Sequence, residues 1–227
     1  MKLGVLFSGG KDSTLALHLM TEKKQQIVCL ITVVSKNKES YMFHTPNVNI
    51  TALQAQALGL PLVSVNTDGY KEEELVDLEA AILQAKNLFG IEGVITGAVE
   101  SVYQVSRIQR ICDKLCLECF NPLWQYNPRE LFEELFKRNF QVVISGVFAY
   151  PLNESWLGKQ LDHGVIEQLS DLSEKYGISI TGEGGEIETT VLDAPMFEQK
   201  IEVLDSEVIW HSTSGVFVIK KAQLTPK

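Results

Sequence analysis

Six consecutive residues, Ser8-Gly9-Gly10-Lys11-Asp12-Ser13, combine the side chains and the backbone freedom that anion chemistry requires. They follow the apolar run Leu3-Gly4-Val5-Leu6-Phe7 and precede Thr14-Leu15-Ala16-Leu17-His18-Leu19-Met20, which has helical character. In a strand–turn–helix of this kind the glycines let the chain turn sharply, and successive N–H groups point at a bound oxyanion. Lys11 adds a positive charge, and the hydroxyls of Ser8 and Ser13 can donate hydrogen bonds. A second reactive stretch is Gly182-Glu183-Gly184-Gly185-Glu186-Ile187-Glu188-Thr189, in which Glu183, Glu186 and Glu188 put three carboxylates within six residues. Carboxylates brought close to a ligand by glycines can hold Mg²⁺, bind a cationic amine or take a proton. A merely solvated turn would need neither the glycines nor the adjoining β-branched residues.

Weaker signals surround these two. Tyr41, Phe43 and His44 sit in a polar loop after the second apolar run, where a nucleotide base or a substrate could rest; an ordinary aromatic cluster in a loop is the competing reading. Ser101 is a plausible helix cap, and Arg107, one to two turns further on, could reach a phosphate or simply be solvated. Trp156, in Glu154-Ser155-Trp156-Leu157-Gly158, is compatible with a place in the core. Cys112, Cys116 and Cys119 have the spacing of the cluster-binding motif of radical S-adenosylmethionine enzymes. On a helix, however, Cys112 and Cys116 fall on one face beside Ile108 and Leu115, with Cys119 opening a short strand. A cluster needs a loop that wraps the metal, so packing is the expected role.

The elements that must position these groups alternate. Gln26 to Val34 is apolar and β-branched, the mark of a strand buried on both faces. Helix over 49–58, strand over 62–65, helix over 71–89, strand over 93–96 and helix over 101–115 follow. This order implies a parallel α/β sheet with helices on both faces, its ligand lying beyond the carboxyl ends of the strands. After Phe120 the rhythm changes: a helix over 128–139, one more strand over 142–147, a helix over 165–176 ending at Gly177, and an alternating pair over 200–210 and 216–221. The expected division is a nucleotide-type domain over 1–123 and a smaller α+β domain over 124–227.

Composition narrows the class further. With 45% hydrophobic and 22% charged residues the chain is of ordinary globular character. A net charge of −9 argues against a broad basic face for tRNA or DNA. No apolar run approaches the roughly 20 residues that span a bilayer, and the N-terminus enters a strand almost at once. Absence of a secretory signal and of a membrane partner, a cytoplasmic location and four reduced cysteines are therefore expected.

The first loop differs from a Walker A motif, because Asp12 stands where Ser or Thr would follow Gly-Lys and Val5 stands where the first Gly would be. It resembles instead the loop of the N-type ATP pyrophosphatases, the PP-loop family, which cleave ATP between its α and β phosphates. With SGGKDS, ESYMFHT, GAVESVYQVSR, ESWLG and GEGGEIETTVLDAP in this order, nearly the whole chain is similar to the diphthine–ammonia ligases, or diphthamide synthetases, of the compact archaeal type. The resemblance implies a Rossmann-like, HUP-type sheet and a ligase that uses ATP and Mg²⁺. Its substrate would be diphthine, a modified histidine of elongation factor 2, activated as an acyl-adenylate and amidated by ammonium. It further implies that Ser8, Gly9, Gly10, Lys11, Asp12 and Ser13 hold the phosphates. Tyr41 and His44 would lie by the nucleotide or substrate, and Glu183 and Glu186 by the reacting centre. Ile187 stands where the family is expected to carry an aromatic residue, and the C-terminal extension of eukaryotic members is lacking. Self-association into a homodimer is left open, as are two other readings: adenylation of a tRNA base or small carboxylate, and nucleotide binding without turnover.

Overall fold

The computed structural model describes residues 1–37, 46–70 and 72–227. Strand β1 (Lys2–Leu6) runs into helix α1 (Lys11–Glu22), then β2 (Gln26–Ser35), α2 (Thr51–Ala57), β3 (Leu62–Thr67), α3 (Glu74–Phe89), β4 (Gly93–Ile95), α4 (Val102–Lys114) and β5 (Glu118–Phe120). The five strands form one sheet in the order β3-β2-β1-β4-β5, and every neighbouring pair is parallel. Leu3, Val5, Leu30, Ile31, Val94 and Ile95 are all at most 1% exposed, so the central strands are covered on both faces, which is why they read as unbroken apolar runs. Buried residues of α1 and α2 pack on one side, and those of α3 and α4 on the other.

Local chemistry sets the helix ends. Ser101 caps α4, its hydroxyl accepting the Gln104 N–H at 3.3 Å. The first sheet is followed by α5 (Pro128–Lys137), which starts where Asn127 accepts the N–H groups of Arg129 and Glu130 and Pro128 takes the first helical position.

Beyond α5 come β6 (Gln141–Val147), α6 (His163–Tyr176), β7 (Ile187–Asp193), β8 (Lys200–His211) and β9 (Ser214–Thr225). The last four strands of the chain make a second sheet in the order β7-β6-β9-β8, antiparallel throughout. The expected C-terminal pair is β8 and β9, joined by a tight hairpin. The apolar string of β6 resembles a parallel strand because β6 is central in this sheet and buried along nearly its whole length, yet its pairing with β7 and β9 is antiparallel. One hydrophobic cluster joins Val5 and Leu15 of the first layer to Phe132, Ile144, Val191 and Ile219 of the second. Phe132 is 1% exposed within it, and a truncation to Ala there would cost about 3–5 kcal/mol.

Candidate active site

Chain order reverses at β1, whose neighbours are β2 on one side and β4 on the other. A cleft of about 530 Å³ opens beyond the carboxyl ends of these strands, where an open α/β sheet is expected to take its ligand. Ser8, Lys11, Asp12 and Ser13 line it from the start of α1, Gly97 and Ala98 from the end of β4, and Glu183 and Glu188 from the acidic segment. The two stretches singled out in the sequence therefore meet, although about 170 residues separate them. Gly97 is required by the fit of these parts. A Cβ there would fall 2.6 Å from the Ser13 nitrogen and 2.8 Å from the Asp12 carbonyl carbon.

The first loop is held from several directions. Gly9 has φ +79°, and its carbonyl accepts from the Gln54 side chain at 2.9 Å and from the Val191 N–H at 3.0 Å. The Gln54 amide also donates to the Val191 carbonyl at 2.8 Å, tying loop, α2 and β7 together. The Gly10 N–H donates to the Ser8 hydroxyl, the Ser8 N–H to the Ser13 hydroxyl, and the Lys11 N–H to Thr189 Oγ1 at 3.1 Å. These three N–H groups thus have internal partners, which narrows the expected cradle. First-turn N–H groups of α1 at Asp12 and Ser13 lack an intrahelical acceptor, and the helix begins at Gly10 with no side-chain cap. They are among the donors left for an anion.

Lys11 is 3% exposed, so its ammonium is not a solvated surface charge. It donates to Asp12 Oδ2 at 2.9 Å and to the Thr181 carbonyl at 2.5 Å, at the base of the acidic segment. Gly182 and Gly185, each with φ +80°, turn that segment, and a Cβ on Gly182 would collide with the Ile187 carbonyl. The Glu183 carboxylate accepts the Glu100 N–H at 3.0 Å. Burial, followed by the charge of Asp12, nevertheless raises its pKa above the ordinary carboxylate value. Burial pushes Glu188 up to about 7, against the pull of Lys11. Protons and cations are therefore favoured in this part of the cleft.

Other expected site residues lie elsewhere. Glu186 turns back on its own loop, accepting the Ser179 N–H at 2.9 Å, and lines a neighbouring groove rather than the cleft. Arg107 pairs with Glu72 at 2.8 Å and stacks over the Tyr103 ring at 3.5 Å, outside the lining of the cleft. Trp156 is buried, with the Lys159 ammonium over its ring. The expected roles of Tyr41 and His44, and the expected helix start at Lys71, lie outside the described residues.

The cysteines depart from the expected helix face. Helix α4 ends at Lys114, and Cys116 follows in a left-handed conformation with φ +52°, exposed. Cys112 is fully buried, and a hydrogen bond it shares with Cys119 raises its pKa and lowers that of Cys119. Among the described residues no group of three or more His, Cys, Asp or Glu could hold a metal ion.

Three contributors were not singled out from the sequence: Gln54, Thr189 and the particular placement of Glu188. Gln54 is fully buried, and the unusual amount of amide in the Thr-Ala-Leu-Gln-Ala-Gln stretch was its only local signal. Thr189 and Glu188 belonged to the acidic segment, but only the pairing of β7 with β6 fixes where they point.

Residues 1–119 match the family described as the diphthamide synthase N-terminal domain, and residues 127–225 the diphthamide synthase C-terminal domain. The chain is 36% identical over 234 residues to the diphthine–ammonia ligase of Bos taurus and to that of Homo sapiens, with 95% of this chain and 87% of each relative covered. It is 30% identical to the diphthine–ammonia ligase of Schizosaccharomyces pombe, covering 97% of this chain and 39% of that one. The additional sequence expected of eukaryotic members is thus large in the yeast protein and small in the two mammalian ones. With both family domains matched in order over almost its whole length, the chain belongs to the diphthamide synthase family.

Proposed function

We propose that this chain uses ATP to amidate the diphthine carboxylate of elongation factor 2 with ammonium, through an acyl-adenylate, releasing AMP and pyrophosphate and giving diphthamide. One observation carries the reading: a loop of the PP-loop type and a carboxylate segment meet in a single cleft through Lys11, which is hydrogen-bonded to Asp12 and to the Thr181 carbonyl. The names of the relatives support the same substrate and the same nitrogen donor. Because elongation factor 2 is a cytoplasmic protein, the cytoplasm is the setting of the reaction.

A carboxylate is a poor acceptor for an amine until one oxygen becomes a leaving group, and AMP serves as that group. Lys11 and the Asp12 and Ser13 N–H groups would stabilise the charge that builds on departing pyrophosphate. Preorganised donors of this kind are each worth about 10²- to 10³-fold in rate. Glu183, fixed by the Glu100 N–H, would border the reacting carboxylate. Asp12 Oδ1 is buried with no hydrogen-bond partner among the described residues, and a carboxylate oxygen in that state fits a hard cation. Asp12 would hold Mg²⁺ together with phosphate oxygens of ATP. Such an ion, when bound, neutralises phosphate charge.

Pyrophosphate release, measured with and without the diphthine-bearing factor and ammonium, tests the reading. AMP and pyrophosphate should form only when the modified factor is present. ADP as product, or turnover that needs tRNA instead of the factor, would refute it.

A further inference from the structure

Ammonium has no free electron pair, so an enzyme that takes up the cation rather than free ammonia needs a proton acceptor beside the acyl carbon. Three carboxylates of the acidic segment are available, and the structure separates them. Glu186 bonds to Ser179 N and lies outside the cleft lining. Glu183 lines the cleft but already accepts the Glu100 N–H. Glu188 lines the cleft, and among the described residues nothing donates a hydrogen bond to its carboxylate.

Glu188 is also the one carried by regular structure. It belongs to β7, paired with Gly146 of β6, and immediately precedes Thr189, which binds the Lys11 N–H. A Cβ on Gly146 would sit 3.0 Å from Glu188 Cβ and against the Phe148 ring, so the glycine leaves this position room. A carboxylate on a paired strand, next to the residue that hydrogen-bonds the Lys11 N–H, is held more firmly than one in a glycine turn.

We propose that Glu188 is the catalytic proton acceptor for ammonium. This inference rests on the amidation reading above. The Glu188 carboxylate takes one proton from NH₄⁺, leaving NH₃. The nitrogen pair then attacks the acyl carbon of the adenylate, and the carbon–oxygen bond to AMP breaks, its electrons leaving with the phosphate. The second surplus proton leaves the nitrogen for solvent as the amide forms, and Glu188 returns its proton to solvent. The charged groups that act on Glu188 are Lys11 and Asp12 of α1 and Glu183 of the acidic segment. Lys11 favours the ionised carboxylate that accepts the proton, while burial and the two carboxylates favour the acid.

The test follows amidation of the modified factor against total ammonia over a range of pH, in wild type and in Glu188→Gln. With Glu188 as acceptor, wild-type kcat/KM for total ammonia levels off once Glu188 is ionised, at a pH well below that at which free ammonia predominates. Glu188→Gln should still release pyrophosphate in a single turnover, should amidate at least about 10²-fold more slowly at neutral pH, and should recover about tenfold per pH unit as free ammonia becomes abundant. A wild-type profile that already rises in step with free ammonia overturns the proposal without any variant. So does a variant whose pH profile matches wild type, or one that loses pyrophosphate release. If wild type itself forms no pyrophosphate with the modified factor, the amidation reading fails first, and the two failures are distinct.

Discussion

Replacing Glu188 by Gln should make the folded protein more stable at alkaline pH and leave it nearly unchanged at acid pH. The folded-state pKa of Glu188 is raised from its ordinary 4.5 to about 7. Between those values the folded chain keeps a proton that the unfolded chain has lost, so stability falls as pH rises through this window. Fully expressed, that offset is worth about 3 kcal/mol at pH 8. Because Glu188 faces an open cleft, solvent screening reduces the expected effect to about 1–2 kcal/mol. Gln has the shape of the protonated acid and never ionises, so the loss is absent in the variant. Urea unfolding at pH 5 and pH 8 measures the difference, with all other titrating groups common to both proteins. The variant should gain about 1–2 kcal/mol over wild type between the two conditions. An equal difference at both values would mean that Glu188 ionises as an ordinary carboxylate, and the reasoning about its surroundings would be wrong.

Lys11→Ala should slow pyrophosphate release by about 10²- to 10³-fold; a single-turnover rate near wild type would contradict its role at the phosphates. Gly97→Ala forces the first turn of α1 away from β4, at a cost of about 1–3 kcal/mol, and should weaken ATP binding, which calorimetry and thermal unfolding report. The triple replacement of Cys112, Cys116 and Cys119 by Ala should cost about 1–2 kcal/mol and keep activity. Iron and labile sulfide in anaerobically purified wild type would refute that last expectation.

The strand, turn and helix around the first loop were legible because their requirements are local: two glycines, a lysine and serines between an apolar run and a helix. The parallel sheet was legible for a similar reason, since the buried faces of β1, β2 and β4 leave unbroken apolar strings. What the sequence did not fix was direction. Glu186 and Glu188 are two residues apart, yet the turns at Gly182 and Gly185 and the pairing of β7 send one to Ser179 and the other into the cleft. Arg107 finds its carboxylate in Glu72, 35 residues earlier, a pairing that no local pattern announces. Cys116 missed the helix face because α4 stops at Lys114, in a stretch with no glycine or proline to mark the end.

The attachment of the Gly9–Lys11 loop to β7 has a consequence for how the protein matures. The loop leaves the ribosome well before its partners Thr189 and Val191, which are made some 180 residues later. β7 in turn hangs on β6, which is flanked by β9 at the far end of the chain. A nascent chain can therefore assemble its parallel sheet long before the Gly9–Lys11 loop is anchored. The fixed conformation of that loop would arrive only with the second sheet, which supplies Thr189 and Val191.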